Sequence, residues 1–190
     1  MSTVLVTGGS GFVGSHVVLA LLNTGHSVRT TVRSMKKDES VRAMLRSAGA
    51  DVGRLTICIA DLTGDSGWPE AVVGCDCVIH VASPLSDSAR QPEAEVVAAA
   101  RDGTLRVLRA ALDAKVKRVV MTSSCAAVYY GYPPRAEPFD ETNWALQALG
   151  HRLTFFAVPK SGWTVAATIE RRGEWHGMAD PRLHGESAGY

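Results

Sequence analysis

MSTVLVTGGSGFVG, residues 1–14, reads as a buried strand that runs directly into a glycine-rich turn and then a helix. Val4, Leu5 and Val6 form a short unbroken apolar run, the mark of a parallel strand covered on both faces. Gly8, Gly9, Gly11 and Gly14 follow at once. Glycine reaches positive φ without strain and lets backbone approach a ligand closely. A helix opening near Phe12 would aim its free N–H groups and the positive end of its dipole at a phosphate. Gly14 has no side chain to hold helix and strand apart. The glycines fit GxGxxG through Gly9, Gly11 and Gly14, and GxxGxxG through Gly8, Gly11 and Gly14. Such a motif gains meaning only between a strand and a helix. That context is present: Val13, Val17, Val18, Leu21 and Leu22 outline an amphipathic helix, and residues 27–32 a second strand. A dinucleotide is the expected ligand, and a glycine turn without a ligand is the competing reading.

Bulk properties exclude more than they assign. The 190 residues suit one domain. Lys and Arg total 20 against 19 for Asp and Glu, a balance that argues against a nucleic-acid or membrane-surface partner. No apolar run approaches the ~18 residues of a transmembrane helix. The N-terminus enters a strand directly, without the pattern of a secretory signal, so a cytoplasmic location is expected. Cys58, Cys75, Cys77 and Cys125 form no Cys-x-x-Cys pair and read as buried free thiols. Cys75 and Cys77 are spaced too tightly for an ordinary structural zinc site. His176, Asp180 and His184 are spaced as on one helix face, but Pro181 breaks any such helix, and no metal site is expected.

Strands and helices alternate beyond the first βαβ unit. Residues 38–48 read as a helix with Val41, Met44 and Leu45 on one face, 55–60 as a strand, and 64–74 as a turn with a short helix. Residues 77–82 read as a strand stopped by Pro84, 93–114 as a long Ala- and Leu-rich helix, and 117–122 as a fifth strand. Residues 152–171 are expected to add a helix despite Pro159. This order predicts an α/β fold, a doubly wound parallel sheet with right-handed crossovers. Its ligand lies beyond the carboxyl ends of the strands. Those ends hold residues 7–12, Arg33, Asp61 with Leu62, residues 82–84 and residues 122–124.

The end of the second strand separates the two nicotinamide dinucleotides. An acidic residue there would bond ribose hydroxyls and repel a 2′-phosphate. This chain has Arg33, with Lys36 and Lys37 close behind. Guanidinium can fork to a phosphate, so NADP rather than NAD is the expected cofactor. A solvated basic loop is the alternative, since exposed Lys and Arg are common. Asp61 could bond the adenine amino group or cap a turn with Thr63.

TGGSGFVGSH at 7–16, TVRS at 31–34, Ala60-Asp61-Leu62, HVASP at 80–84 and RVVMTSSCAAV at 118–128 resemble the extended short-chain dehydrogenase/reductases. Within them the chain is most similar to the dihydroflavonol-reductase-like branch of the NAD-dependent epimerase/dehydratase family. The resemblance runs in register from about residue 2 to 145 and then weakens. It implies that Gly8, Gly11 and Gly14, with Phe12 and Val13 opening the helix, hold the pyrophosphate. It places Arg33 at the 2′-phosphate, Asp61 and Leu62 beside adenine, and Ala82, Ser83 and Pro84 along the ribose and nicotinamide. Ser124 stands where that family keeps its catalytic serine, and Lys160 where it keeps the lysine that binds nicotinamide ribose. The implied chemistry is NADP-dependent hydride transfer between nicotinamide and a carbonyl or secondary alcohol. A homodimer through the helices at 93–114 and 152–171 is implied as well.

The departures are specific. The family places a tyrosine four residues before the lysine, to give or take the proton as hydride moves. Here that residue is Phe156, and Pro159 precedes Lys160. Phenylalanine has no proton to exchange, and loss of general acid catalysis costs about 10²- to 10⁴-fold. Tyr129 and Tyr130 have no lysine placed to tune them. Residues 174–179 make a poor strand. Residues 1–172 therefore read as a nucleotide-binding domain and 173–190 as a degenerate C-terminal segment, with the substrate-binding portion expected to be missing. A non-catalytic dinucleotide-binding module and a truncated, inactive gene product are the competing functions.

Overall fold

The structure, a computed structural model, describes residues 1–84, 93–123, 132–139 and 166–170. Strand β1 (Thr3–Thr7) leads into helix α1 (Phe12–Asn23), then β2 (Ser27–Val32), α2 (Asp38–Ser47), β3 (Leu55–Ile59) and a short α3 (Trp68–Val72). Then come β4 (Cys77–His80), the long α4 (Glu93–Asp113), β5 (Arg118–Thr122) and β6 (Ala166–Glu170). The strands lie in the order β3-β2-β1-β4-β5-β6. The first five pair in parallel. The chain thus starts at the sheet centre, winds outward through β2 and β3, and returns past β1 to β4. The turn of direction falls between β1 and β4, where such sheets open a crevice.

Alternation in β1 builds both halves of the core. Leu5 packs on one face with Trp68, Val72, Val78, Val107, Ala111 and Val119. Val4 and Val6 pack on the other with Val18, Leu22, Val28, Val41 and Leu45. Successive strand residues point to opposite faces, so an unbroken apolar run is what a doubly covered strand requires. Along α4, Val96, Ala100, Thr104, Val107, Leu108 and Ala111 are buried at helical spacing. In α2, Asp38 and Glu39 open the helix and Arg46 closes it, matching the dipole.

Two expectations need correction. The helix expected over 152–171 is contradicted at Ala166–Glu170, which is strand β6, antiparallel to β5. The sheet is therefore parallel through five strands and antiparallel at its sixth. β-Branched Thr168 and Ile169 suit a strand, and the outer edge of β5 offers unpaired backbone to it. The rest of 152–171 lies outside the described residues. Strand β4 also ends at His80, two residues before the boundary expected at Ala82. The amides of Val81 and Ala82 donate to a side chain, Thr7 Oγ1, instead of to a neighbouring strand.

Cys58, Cys75 and Cys77 are free thiols, Cys75 buried and the other two half-buried. Burial pushes all three thiols up in pKa, leaving them protonated and unreactive. Cys125 lies outside the described residues. Among the described residues no helix is long and apolar enough to cross a membrane, and no three metal-ligating side chains cluster.

Candidate functional site

The carboxyl ends of the parallel strands β1, β2, β3 and β4 lie along one edge of the sheet, the edge at which such folds open a crevice, and the glycine turn follows β1 there. Gly8 follows β1 with φ +75°, a conformation that favours glycine. The Gly11 amide closes the turn by donating to Gly8 O at 2.9 Å. A Cβ on Gly14 would stand 2.2 Å from Gly8 O, and one on Gly9 would stand 2.1 Å from Thr30 Oγ1. The backbone of turn and helix therefore touch at distances only glycine permits.

Helix α1 opens at Gly11 with extended backbone, no side-chain cap and no acidic residue in its first turn. The first amides of a helix have no acceptor within it. Here those of Phe12, Val13 and Gly14 also find none from a side chain among the described residues. The positive end of the dipole is left for an external anion. Phe12 stands 82% exposed beside this end, edge-on to His16.

Arg33 leaves the end of β2 exposed and makes no hydrogen bond or ion pair among the described residues. Ser34 caps the following 3₁₀ turn by accepting from the Lys36 amide, and the Lys36 and Lys37 side chains stay exposed. Asp61, after β3, accepts from the Thr63 amide and hydroxyl on Oδ1, both at 2.9 Å. The amide bond chiefly, then the Thr63 hydroxyl and the positive charge of Arg33, hold the Asp61 carboxyl below its usual pKa against partial burial. Asp61 therefore caps a turn, as one of its two readings required, and Oδ2 keeps no partner among the described residues. The backbone of this turn is held from two sides. Trp68 Nε1 donates to the carbonyls of Asp61 and Gly64, and Arg106 Nη1 to that of Leu62 while its Nε pairs with Asp65.

The Leu62 side chain turns inward. It is buried, and a Cβ on Gly103 of α4 would lie 2.8 Å from its own Cβ. Ala82 and Pro84 are half-buried and Ser83 is exposed along the wall after β4. Ala82 Cα lies 3.1 Å from the position of a Gly8 Cβ, so this wall abuts the glycine turn. Ser124, Phe156 and Lys160 lie outside the described residues, as do Tyr129 and Tyr130.

Threonines at the strand ends brace the crevice, a feature that reading the sequence for charge and glycine does not reveal. Thr31 Oγ1 accepts from the Gly8 amide at 3.2 Å, Thr30 Oγ1 donates to Val6 O at 2.7 Å, and Thr122 Oγ1 donates to His80 O at 3.1 Å. Thr7 Oγ1 is bonded to His80 Nδ1 at 2.8 Å. His80 is buried, and burial alone brings its pKa down to about 4, so the imidazole is neutral. The signal was β-branched threonine toward the carboxyl ends of three strands, Thr7 in β1, Thr30 and Thr31 in β2, and Thr122 in β5.

Residues 4–152 match the profile of the family described as NAD dependent epimerase/dehydratase. The chain is 43% identical over 143 residues to a dihydroflavonol 4-reductase of Hordeum vulgare, covering 75% of this chain and 40% of that protein. Among solved structures it is similar to vestitone reductase from alfalfa, with 33% identity and TM-score 0.59 over 76% of this chain and 43% of that one. It is also similar to Gre2 from Candida albicans in complex with NADPH, with 28% identity and TM-score 0.65 over 77% of this chain and 44% of that one. The chain spans about half or less of the length of these relatives.

Proposed function

The chain belongs to the NAD dependent epimerase/dehydratase family, with dihydroflavonol-reductase-like relatives, and from that premise we propose that it binds NADPH in preference to NADH as a reductase of impaired activity. One pairing carries this reading: a helix N-terminus without a side-chain cap behind the glycine turn, and an exposed Arg33 at the end of β2 that has no hydrogen-bond or ion-pair partner among the described residues. The α1 amides and dipole take the pyrophosphate. Arg33 forks to the 2′-phosphate, with Lys36 and Lys37 adding charge. Asp61 Oδ2 accepts from the adenine amino group, and Ala82, Ser83 and Pro84 follow the ribose toward the nicotinamide. The Leu62 side chain backs that wall from the core. When bound, the nicotinamide supplies the hydride.

The substrate class is a carbonyl or secondary alcohol. Ser124 hydrogen-bonds its oxygen and Lys160 holds the nicotinamide ribose, both by family position. Phe156 stands where a tyrosine would exchange the proton, so proton transfer falls to water and turnover is slow. The same residue favours a second reading, a nucleotide-binding module without catalysis. A homodimer remains part of the proposal, with α4 as the described candidate helix.

Titrating the purified chain with NADPH and separately with NADH, by cofactor fluorescence, tests the reading. Tight binding of NADPH with weak binding of NADH supports it. Equal affinities remove the role of Arg33, and binding of neither by folded protein overturns the proposal. NADPH consumption with a panel of aldehydes and ketones then separates the slow reductase from the silent module.

A further inference from the structure

We propose that His80 is a positioning residue of the nucleotide crevice: acting through the Thr7 hydroxyl, it fixes the segment after β4 against the glycine turn. The inference rests on the nucleotide reading of the crevice and assigns a residue that reading leaves without a task. Thr7 and His80 are register partners on neighbouring parallel strands, so their side chains leave the sheet on the same face. Thr7 Oγ1 lies 2.8 Å from His80 Nδ1, 3.0 Å from the Val81 amide and 3.0 Å from the Ala82 amide. A hydroxyl has one proton and two lone pairs. The two amides can only donate, so they fill the lone pairs, and the hydroxyl proton goes to Nδ1. The neutral ring then carries its own proton on Nε2, which faces Thr104 Oγ1 on α4 at 3.4 Å.

The polarity of this network runs one way. Were Nδ1 protonated, Thr7 Oγ1 would meet three donors with two lone pairs, and one donor would lose its acceptor inside the protein. The strand ladder of β4 ends at His80, so the Thr7 hydroxyl replaces strand pairing as the tether of Val81 and Ala82. That tether matters at the crevice because Ala82 is packed against Gly8, and Gly8 O against Gly14 at the head of α1. A shift of the Val81–Ala82 backbone therefore changes the spacing between the crevice wall and the phosphate-facing amides. His80 touches no ligand in this scheme. It supplies the acceptor that keeps the Thr7 proton turned away from the two amides.

Substitutions in the full chain that separate the two ring nitrogens test the inference. His80→Asn sets an amide oxygen near the position of Nδ1 and gives up the reach to Thr104. His80→Gln reaches toward Thr104 and vacates the Nδ1 position. NADPH dissociation constants and melting temperatures are measured for both. The expected result is NADPH binding about tenfold weaker for His80→Gln and within about threefold of wild type for His80→Asn, the size of one buried hydrogen bond. A purely structural role would make affinity follow melting temperature in both variants, and that result overturns the proposal, as does unchanged affinity in His80→Gln. Should His80→Gln fail to fold, Thr7→Val and Thr7→Ser probe the same link from its other end. Thr7→Val is expected to weaken NADPH about tenfold while Thr7→Ser retains binding, and equal affinities refute the link. Wild-type protein that binds no NADPH overturns the nucleotide reading together with this one. Wild-type binding with insensitive variants overturns this one alone.

Discussion

Acidification should destabilise this protein more steeply than a variant without the buried imidazole. His80 is 2% exposed, has no charged partner among the described residues, and is held by burial at a pKa of about 4 against its usual 6.5. In the unfolded chain it titrates near ~6.5. Between those values the unfolded state takes up a proton that the folded state refuses, so stability falls as pH falls. The contribution is fully present above the unfolded pKa and is lost as pH drops through the folded one. Linkage over that interval amounts to ~2 kcal/mol between pH 7 and pH 5 and ~3 kcal/mol below pH 4. Against a typical total of about 5–15 kcal/mol this is a large share. The carboxyls of Asp61, Asp76 and Asp102 are held below their usual range and titrate in the same way in both proteins. Cys58, Cys75 and Cys77 are pushed away from this window. Urea unfolding of wild type and His80→Asn at several pH values from 7 to 5 isolates the histidine. The variant starts less stable, but its stability should fall less steeply, by about 1 kcal/mol per pH unit between pH 6 and 5. Parallel pH dependences of the two proteins would refute the reasoning.

Gly14→Ala puts a methyl 2.2 Å from the Gly8 carbonyl oxygen. Backbone must move to admit it, so the variant should lose about 1–3 kcal/mol in urea unfolding and bind NADPH at least about tenfold more weakly; wild-type behaviour in both would remove the close approach from the account. Arg33→Ala should weaken NADPH about 10- to 100-fold, the range of a charge-assisted hydrogen bond, and leave NADH unchanged. An equal loss for both nucleotides in the fluorescence titration would mean that Arg33 does not read the 2′-phosphate. Phe156→Tyr should raise NADPH consumption with an accepted aldehyde or ketone by about 10²-fold or more if general acid catalysis is what the chain lacks. An unchanged rate would place the defect elsewhere.

The first five strands and the doubly wound parallel class were legible because parallel α/β sheets write themselves locally. Val4, Leu5 and Val6 announce a strand covered on both faces, and the alternation of apolar runs with helical spacing leaves one architecture. β2 lies at the residues expected, and α4 ends one residue before the expected boundary. The glycine turn that follows β1 was equally legible. Glycine spacing, an exposed cation after β2 and Asp61 after β3 are each short-range statements about what backbone and charge can do.

What stayed hidden depends on partners distant in sequence. The expected helix over 152–171 yielded to a strand at Ala166–Glu170, since the open edge of β5 is contributed by residues more than forty positions earlier. β4 stops at His80 because a hydroxyl 73 residues away takes the next amides. Sequence left Asp61 as a turn cap or an adenine contact, and the fold sets Oδ1 on Thr63 while Oδ2 has no partner among the described residues. Leu62 could flank the ligand by sequence, while α4 draws its side chain into the core opposite Gly103. Composition, periodicity and glycine spacing by themselves determined a doubly wound sheet with a tight glycine turn after its first strand, because those depend on neighbours within a few residues. Tertiary structure alone decided the burial and hydrogen-bond partners of His80, because a buried imidazole takes its properties from the groups packed around it, which no local stretch of sequence contains.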